Sequence, residues 1–412
     1  MTAPTLAIDF GTSNSAAAVL QGGQVRRLQL AEASDTVPTA VFFPADRGPM
    51  LIGAEAVEAL IGGDEGRFMR ALKSILGTTL FHENRLIGGR RRTLADVVTA
   101  FLAQLRERAD AQTGATFRRA LSGRPVHFHS ADPARDARAE ADLRACYHAA
   151  GFEAVDFLFE PEAAALAAQA TARAGTLGLI VDIGGGTSDF SVFGLEGGRV
   201  RILASHGLRL GGTDFDQVVS MDHAMPLLGH GGQLRRMLGE GLLPVPNAVY
   251  LDLATWAKIP FVYTPEARRL VADMEKHAVE PHKIARLAKV IGDETGHSLA
   301  FAVEKGKIAA NSGDYGARIE MGFIERGLAA PVGPVSLDAS LAPFRMRLQE
   351  AMTETLALAG VTPAQIGSVV LVGGSSLMAM VGDAARTICP DAVQSRAEAF
   401  TAVVDGLALA TA

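Results

Sequence analysis

The stretch VDIGGGTSDF, residues 181–190, sets three consecutive glycines between two aspartates, directly behind a short apolar run. Three glycines cost folding entropy and bury almost nothing, so exposed main chain is the reason to place them here. A strand that ends in Asp and turns through Gly-Thr-Ser leaves successive backbone N–H groups pointing out of a tight turn, a concavity that binds phosphate oxygens. The Thr and Ser hydroxyls add donors, and the Asp carboxylate can hold Mg²⁺ through the waters that this ion keeps.

One such turn is weak evidence, because most strand-ending glycine turns are structural. A second copy changes that. AIDFGTSNS (7–15) has the same order of apolar residue, Asp, apolar residue, Gly and Thr-Ser, and a repeat at this interval is far too long for a solenoid unit and fits a duplicated domain. Two facing turns could hold a triphosphate from both sides. A third turn, VVLVGGSSLM (369–378), repeats strand, Gly-Gly, small hydroxyl and helix, and Gly373 and Gly374 would let a flat base or ribose approach the main chain.

Composition bounds the alternatives. With 48% hydrophobic and 20% charged residues in 412, and mean hydropathy of +0.19, the chain is globular and long enough for two or three domain-sized units. A net charge of −6 provides no footprint for nucleic acid, and GRRRT (89–93) reads as a solvated surface turn. Two cysteines, Cys146 and Cys389, supply neither a disulfide framework nor a zinc site and suit a reducing compartment. The start, MTAPTLAIDFGTS, has no basic region followed by an apolar one, and no stretch is apolar enough for a membrane span. The expectation is a soluble, cytoplasmic protein without nucleic-acid or membrane partners.

Along the chain, TLAIDF (5–10) and residues 15–30 read as strands with a hairpin turn at Gly22 and Gly23. Leu94, Val97, Val98, Phe101, Leu102 and Leu105 recur at helical spacing before Gly114. Asp132-Pro133 opens a second helix that Gly151 stops. PEAAALAAQATARAG (161–175) is a third, with faces small enough for another backbone to approach. Strands are expected at 177–182, 189–194 and 199–205, the middle joint being GLEGG. Residues 221–311, with Trp256 and a proline-rich run, read as a helical subdomain inserted into the second half.

IDFGTSNS, FEPEAAAL, VDIGGGTSDF, LGGTDFD, VEKGKIA and VLVGGSS, in that order, resemble the nucleotide-binding domain of the seventy-kilodalton heat-shock chaperones of the DnaK type, over residues 5–411. The resemblance implies an α/β, actin-like (ribonuclease-H-like) ATPase fold: two lobes with a duplicated mixed-sheet core and a nucleotide cleft between them. Lobe I would be residues 1–174 with a small insert at about 35–92, and lobe II residues 175–412 with a helical insert at about 216–311. ATP or ADP with Mg²⁺ would be the ligand. Asp9, Gly11, Thr12, Ser13 and Asn14 would form the first phosphate turn, and Gly184, Gly185, Gly186 and Thr187 would clasp the β- and γ-phosphates. Lys73 in ALKSILG would be the catalytic lysine facing the γ-phosphate and the attacking water. Glu160 and Asp182 would orient that water and the Mg²⁺ shell, with Asp9 and Asp189 completing the acidic ring, largely through water. Gly211, Gly212, Gly373, Gly374 and Ser375 would line the nucleoside, and Glu304 with Lys307 would reach the ribose hydroxyls.

The sequence departs from that pattern at the base. Ile308 and Leu377 stand where many family members have arginines that sandwich adenine, and Asn311 stands where a hydroxyl is usual, so cation–π stacking worth roughly 0.5 to 2 kcal/mol per contact is lost. The final helix, 397–412, is expected to end the chain without the chaperones' peptide-binding half. The leading expectation is a slowly hydrolysing ATP switch. The alternatives are a nucleotide-dependent binding module that presents a partner surface on the helical insert, a small-molecule kinase of the same superfold, or a filament-forming actin relative.

Overall fold

The computed structural model describes residues 4–31, 34–168, 176–196, 199–237, 239–396 and 401–412. They form two compact units, residues 1–212 with 345–412, and residues 213–344. The expected lobe boundary at 174/175 and the start of the final helix at 397–400 lie outside the described residues, as do the last residues of the third expected helix and the two glycines closing GLEGG.

The first unit is built twice. β1 (Thr5–Phe10) pairs antiparallel with β2 (Asn14–Gln21), and β2 with β3 (Gln24–Arg27). Gly22 and Gly23, at φ 61° and 78°, make the two-residue turn that matches strand twist. On its other side β1 pairs parallel with β4 (Arg119–Arg124), and β4 with β5 (Ala154–Phe159). The second sheet repeats this order. β6 (Leu177–Ile183) is antiparallel to β7 (Ser188–Glu196), which is antiparallel to β8 (Arg199–Leu208). β6 is also parallel to β9 (Ile366–Val372), and β9 to β10 (Val393–Arg396). Both glycine turns thus join the central strand of a sheet to its antiparallel neighbour. The repeat read from Asp9 and Asp182 is a repeat of topology.

Parallel strands need crossover helices, and these begin and end where short-range chemistry allows. α1 (Leu94–Thr113) starts at Thr93, whose hydroxyl accepts from the Asp96 N–H while the Asp96 carboxylate accepts from the Thr93 N–H, and Gly114 closes it in the left-handed region. α2 (Pro133–Ala149) is capped by Asp132, which accepts from the Arg135 N–H at 3.0 Å. β5 runs directly into α3 (Glu160–Ala168). In the second half, α4 (Pro334–Ala359) precedes β9, α5 (Ala379–Ile388) joins β9 to β10, and α6 (Ala402–Leu409) closes the described chain.

α3 and α6 share the core with both sheets. Ala163, Ala164, Ala165, Val404 and Leu407 are buried with Ala7 and Ala18 of one sheet and Ile180 and Phe193 of the other. The helices touch main chain to main chain: a side chain on Gly406 would strike the Ala163 carbonyl. This is the close approach that the small faces of residues 161–168 predict.

Residues 40–70 add a small antiparallel sheet (Ala40–Pro44 between Leu51–Ile52 and Gly66–Arg70). The arginine run differs from the expected turn. Gly88 and Gly89 form the turn, while Arg90–Arg92 is a short strand paired with Arg85–Ile87; Arg92 lies over the Phe43 ring, 5.0 Å from its centroid. Gly-Gly accepts the two positive φ values that an arginine would resist.

The second unit, residues 213–344, includes the span read as a helical insert. Its helices include Pro265–His277, Pro281–Gly292 and Gly296–Asn311, and its core includes Phe215, Tyr250, Trp256, Ile284, Leu287 and Val303. It extends to Phe344 because the hairpin Arg318–Glu320/Ala329–Pro331 packs on helix Gly296–Asn311. Gly306 faces that hairpin: a Cβ there would lie 3.0 Å from Ile319.

Candidate functional site

The two glycine turns meet. Gly11 bends β1 into β2 so closely that a side chain on it would strike the Asn14 carbonyl. In the second turn the Gly184 N–H donates to the Thr187 carbonyl at 2.9 Å, and the Gly184 carbonyl accepts from the Gly212 N–H at 3.0 Å. A Cβ on Gly185 would collide with the Ser13 hydroxyl, and one on Gly186 would stand 3.0 Å from the Thr12 hydroxyl. Only bare main chain allows this apposition. Gly211 lies behind it, with a Cβ position 2.5 Å from the Gly186 nitrogen. Ser375 abuts Gly212, and Gly373, at φ 81°, packs where a Cβ would come within 2.6 Å of Asp182 Oδ1. The third turn is therefore adjacent to the second. Gly374 opens the short helical turn Gly374–Leu377, and Leu377 is 41% exposed.

The acidic residues converge on one lysine. Lys73 sits in a 3₁₀ turn (Leu72–Ile75) that follows Ala71, a non-glycine residue held in the left-handed region at φ 61°. Such a conformation costs of order 1 kcal/mol and persists only where its surroundings require it. It sends Lys73 into the interior, where Nζ donates to Glu160 Oε1 at 2.5 Å; both residues are buried. Glu160 is available there because it is the first residue of α3. Asp182 and Asp189 are register partners across β6 and β7, whereas the corresponding partner of Asp9 is Ala16. The duplication has an acidic pair in one copy only.

Electrostatics binds these groups into one system. The Asp9 carboxyl is pushed up to about 7, first by withdrawal from water and then by Glu160, with Lys73 pulling the other way. Burial likewise holds Asp182 well above the usual carboxylate range, reinforced by Glu160, Asp189 and Asp9. Asp189 is raised by burial and Glu160, against the Val126 N–H, which donates to it at 2.6 Å, and the Thr187 side chain. For Lys73, burial disfavours the charge, but Glu160, Asp9 and Asp189 outweigh it and raise the pKa.

An acid whose folded-state pKa is raised stabilises the fold fully below its unfolded value and loses that contribution as pH rises through the folded value. For Asp9 the interval is 3.8 to about 7. In chelator, Asp9→Asn should therefore be more stable relative to the parent at pH 7.5 than at pH 5, by at most a few kcal/mol. His129 and His206, both lowered chiefly by burial, shift stability the opposite way, but in parent and variant alike. Melting curves check this; a difference independent of pH would contradict it.

Glu304, Lys307 and Ile308 belong to the second unit. Lys307 Nζ pairs with Asp216 Oδ1 at 2.6 Å, both residues are buried, and the Trp256 indole donates to Asp216 Oδ2 at 3.0 Å. Burial raises the Asp216 pKa and Lys307 lowers it, while Glu304 raises it further. Ile308 is 57% exposed. The sequence reading missed Asp216 as the partner of Lys307; its one signal was the last aspartate of LGGTDFD. Removing one member of a buried pair costs about 3–5 kcal/mol. Lys307→Met should thus lower the melting temperature and alter the emission of Trp256, the only tryptophan. Unchanged emission and stability would show that the pair is not formed.

Arg209 was also missed. It stands two residues before Gly211, and its Nη1 donates to the Gly186 carbonyl at 3.5 Å and its Nη2 to the Ser74 carbonyl at 3.2 Å. It thereby touches both the second glycine turn and the turn that carries Lys73.

Residues 84–229 match the family model described as Hsp70 protein. The chain carries an Hsp70-family domain. The matched segment contains Glu160, Asp182, the glycines of the second turn, Thr187, Asp189, Gly211 and Gly212; the first turn, Lys73 and the third turn lie outside it and join it through the contacts above. The match accounts for the two like-ordered mixed sheets, which are those of the actin-like ATPase fold. It also points to a nucleotide-binding domain of the chaperone ATPase type. Among the described residues, no helix is long and apolar enough to cross a membrane.

Proposed function

We propose that this chain binds ATP and ADP with Mg²⁺ at the apposed glycine turns, hydrolyses ATP slowly, and uses the difference between the two nucleotides as a switch. The observation that carries the reading is the contact of Ser13 and Thr12 with Gly185 and Gly186, beside the buried Lys73–Glu160 pair. A nucleotide gripped by both turns would tie the two sheets to one ligand, and loss of the terminal phosphate would loosen that tie.

The donor set fits a divalent cation. Asp9, Asp182 and Asp189 crowd together with their pKa values raised, and added positive charge relieves that crowding. Mg²⁺ keeps several of its waters and shares phosphate oxygens, so it needs few ligands from the protein. When bound, Mg²⁺ would neutralise charge on the β- and γ-phosphates. The protein's part is placement: main-chain N–H groups of both turns and the Thr12, Ser13 and Thr187 hydroxyls hold phosphate oxygens, Lys73 faces the terminal phosphate, and Glu160 accepts a hydrogen bond from the attacking water. Positioning and charge neutralisation are most of what phosphoryl transfer requires.

Gly211, Gly212, Gly373, Gly374 and Ser375 would line the nucleoside and Leu377 would meet the base by apolar contact. A protein partner would read the bound state from the helical insert, in the cytoplasm.

A thermal-shift panel of ATP, ADP, GTP and AMP, with and without Mg²⁺, tests binding. A ligand at a hundredfold excess over its Kd adds about 2.7 kcal/mol. Phosphate release from Mg·ATP tests turnover, and a protein whose melting temperature no nucleotide moves would overturn the reading.

A further inference from the structure

We infer that Arg209 is a second cation for the terminal phosphate of the nucleotide, beside Lys73. This rests on the nucleotide reading above and deepens it.

The main chain at Arg209 is held on both sides. Its N–H donates to the Ser130 hydroxyl at 3.3 Å, and the carbonyl of the next residue, Leu210, accepts from the Ser188 hydroxyl at 2.7 Å. From this anchored position the half-buried side chain reaches the Ser74 and Gly186 carbonyls. Ser74 follows Lys73 in the same 3₁₀ turn, and Gly186 packs against the Thr12 hydroxyl. The guanidinium therefore lies at the end of the site where the lysine turn and both glycine turns converge, which is the end assigned to the terminal phosphate.

The charges there leave a role for it. The Lys73 ammonium is already shared with Glu160 at 2.5 Å and feels Asp9 and Asp189 as well. Two acceptors of the Arg209 fork are neutral carbonyls, one of them at 3.5 Å, the outer limit of a hydrogen bond. A phosphate oxygen is charged and suits the planar fork, and such bonds are roughly twice as strong as neutral ones. Exchanging the Gly186 carbonyl for a terminal phosphate oxygen is thus a net gain, available with a triphosphate and not with a diphosphate.

The test is the affinity of the intact chain, by calorimetry, for Mg·ADP and for the magnesium complex of the non-hydrolysable β,γ-imido analogue of ATP. Arg209→Ala should weaken the triphosphate analogue by about tenfold or more, the loss expected for a charge-assisted hydrogen bond, and ADP by less than about twofold. Arg209→Lys should recover part of the difference, keeping the charge without the fork. A purely structural role would weaken both ligands alike. Equal losses, or none, in either variant would overturn the assignment. If Arg209→Ala does not fold, Arg209→Lys and Arg209→Gln carry the same comparison. A parent protein that binds neither ligand would instead overturn the nucleotide reading itself.

Discussion

Lys73→Ala should release phosphate from Mg·ATP at least about a hundredfold more slowly than the parent, with nucleotide affinity largely retained. The magnitude is that of removing one preorganised charge-stabilising donor from a water-poor site. Lys73 is the buried cation paired with Glu160, and the glycine turns that would hold the phosphates are formed without it. The same substitution should destabilise the unliganded protein, because Glu160 then remains buried without its partner, a loss of about 3–5 kcal/mol for a broken buried pair. It should also steepen the pH dependence. Lys73 lowers the pKa of Asp9, Asp182 and Asp189, so its removal raises all three and shifts the loss of stability with rising pH to higher pH. Single-turnover phosphate release, calorimetric binding and melting curves at pH 5 and 7.5 separate these effects. Equal rates for parent and variant would remove Lys73 from the chemistry whatever the melting curves show.

The second large effect lies far from any charge. Gly406→Ala adds one methyl group, yet that methyl group would overlap the Ala163 carbonyl on the facing helix. Both partners are main chain, so neither can turn away as a side chain would, and α3 and α6 must separate. Overpacking costs about 1–3 kcal/mol when side chains can adjust, and here the upper end or more is expected, with a fall in melting temperature of about 5–10 °C. The damage should reach function as well. Glu160 begins α3, so a displaced helix carries the lysine's partner with it. Ala163→Gly serves as a control, since it removes a side chain without adding bulk at the crossing. A Gly406→Ala protein that melts with the parent would mean the helices cross elsewhere.

The turns that make up the candidate site were legible because their signals are local. A glycine turn behind a strand-ending aspartate needs only a few neighbouring residues to be recognised, and the same pattern at 7–15, 181–190 and 369–378 became three adjacent turns. Helix ends at Asp132 and Gly114 were equally readable, since caps are satisfied within one turn of chain. Resemblance, and not spacing, singled out Lys73 and Glu160, and nothing local announced that Ala71 would take a left-handed conformation to bury that lysine. The ion pair joins residues 87 positions apart, the Lys307 pair reaches back to Asp216, and Arg209 finds Ser74 across 135 positions. Hydrophobic periodicity says which face of a helix is buried but not against what, and a charged side chain carries no mark of its distant partner. Turns, caps and strands were written in neighbouring residues; the pairing of charges, the helix crossing at Gly406 and the convergence on Lys73 arose only when two separately encoded sheets packed around a shared core, because burial makes a contact strong and burial is a property of the assembled fold.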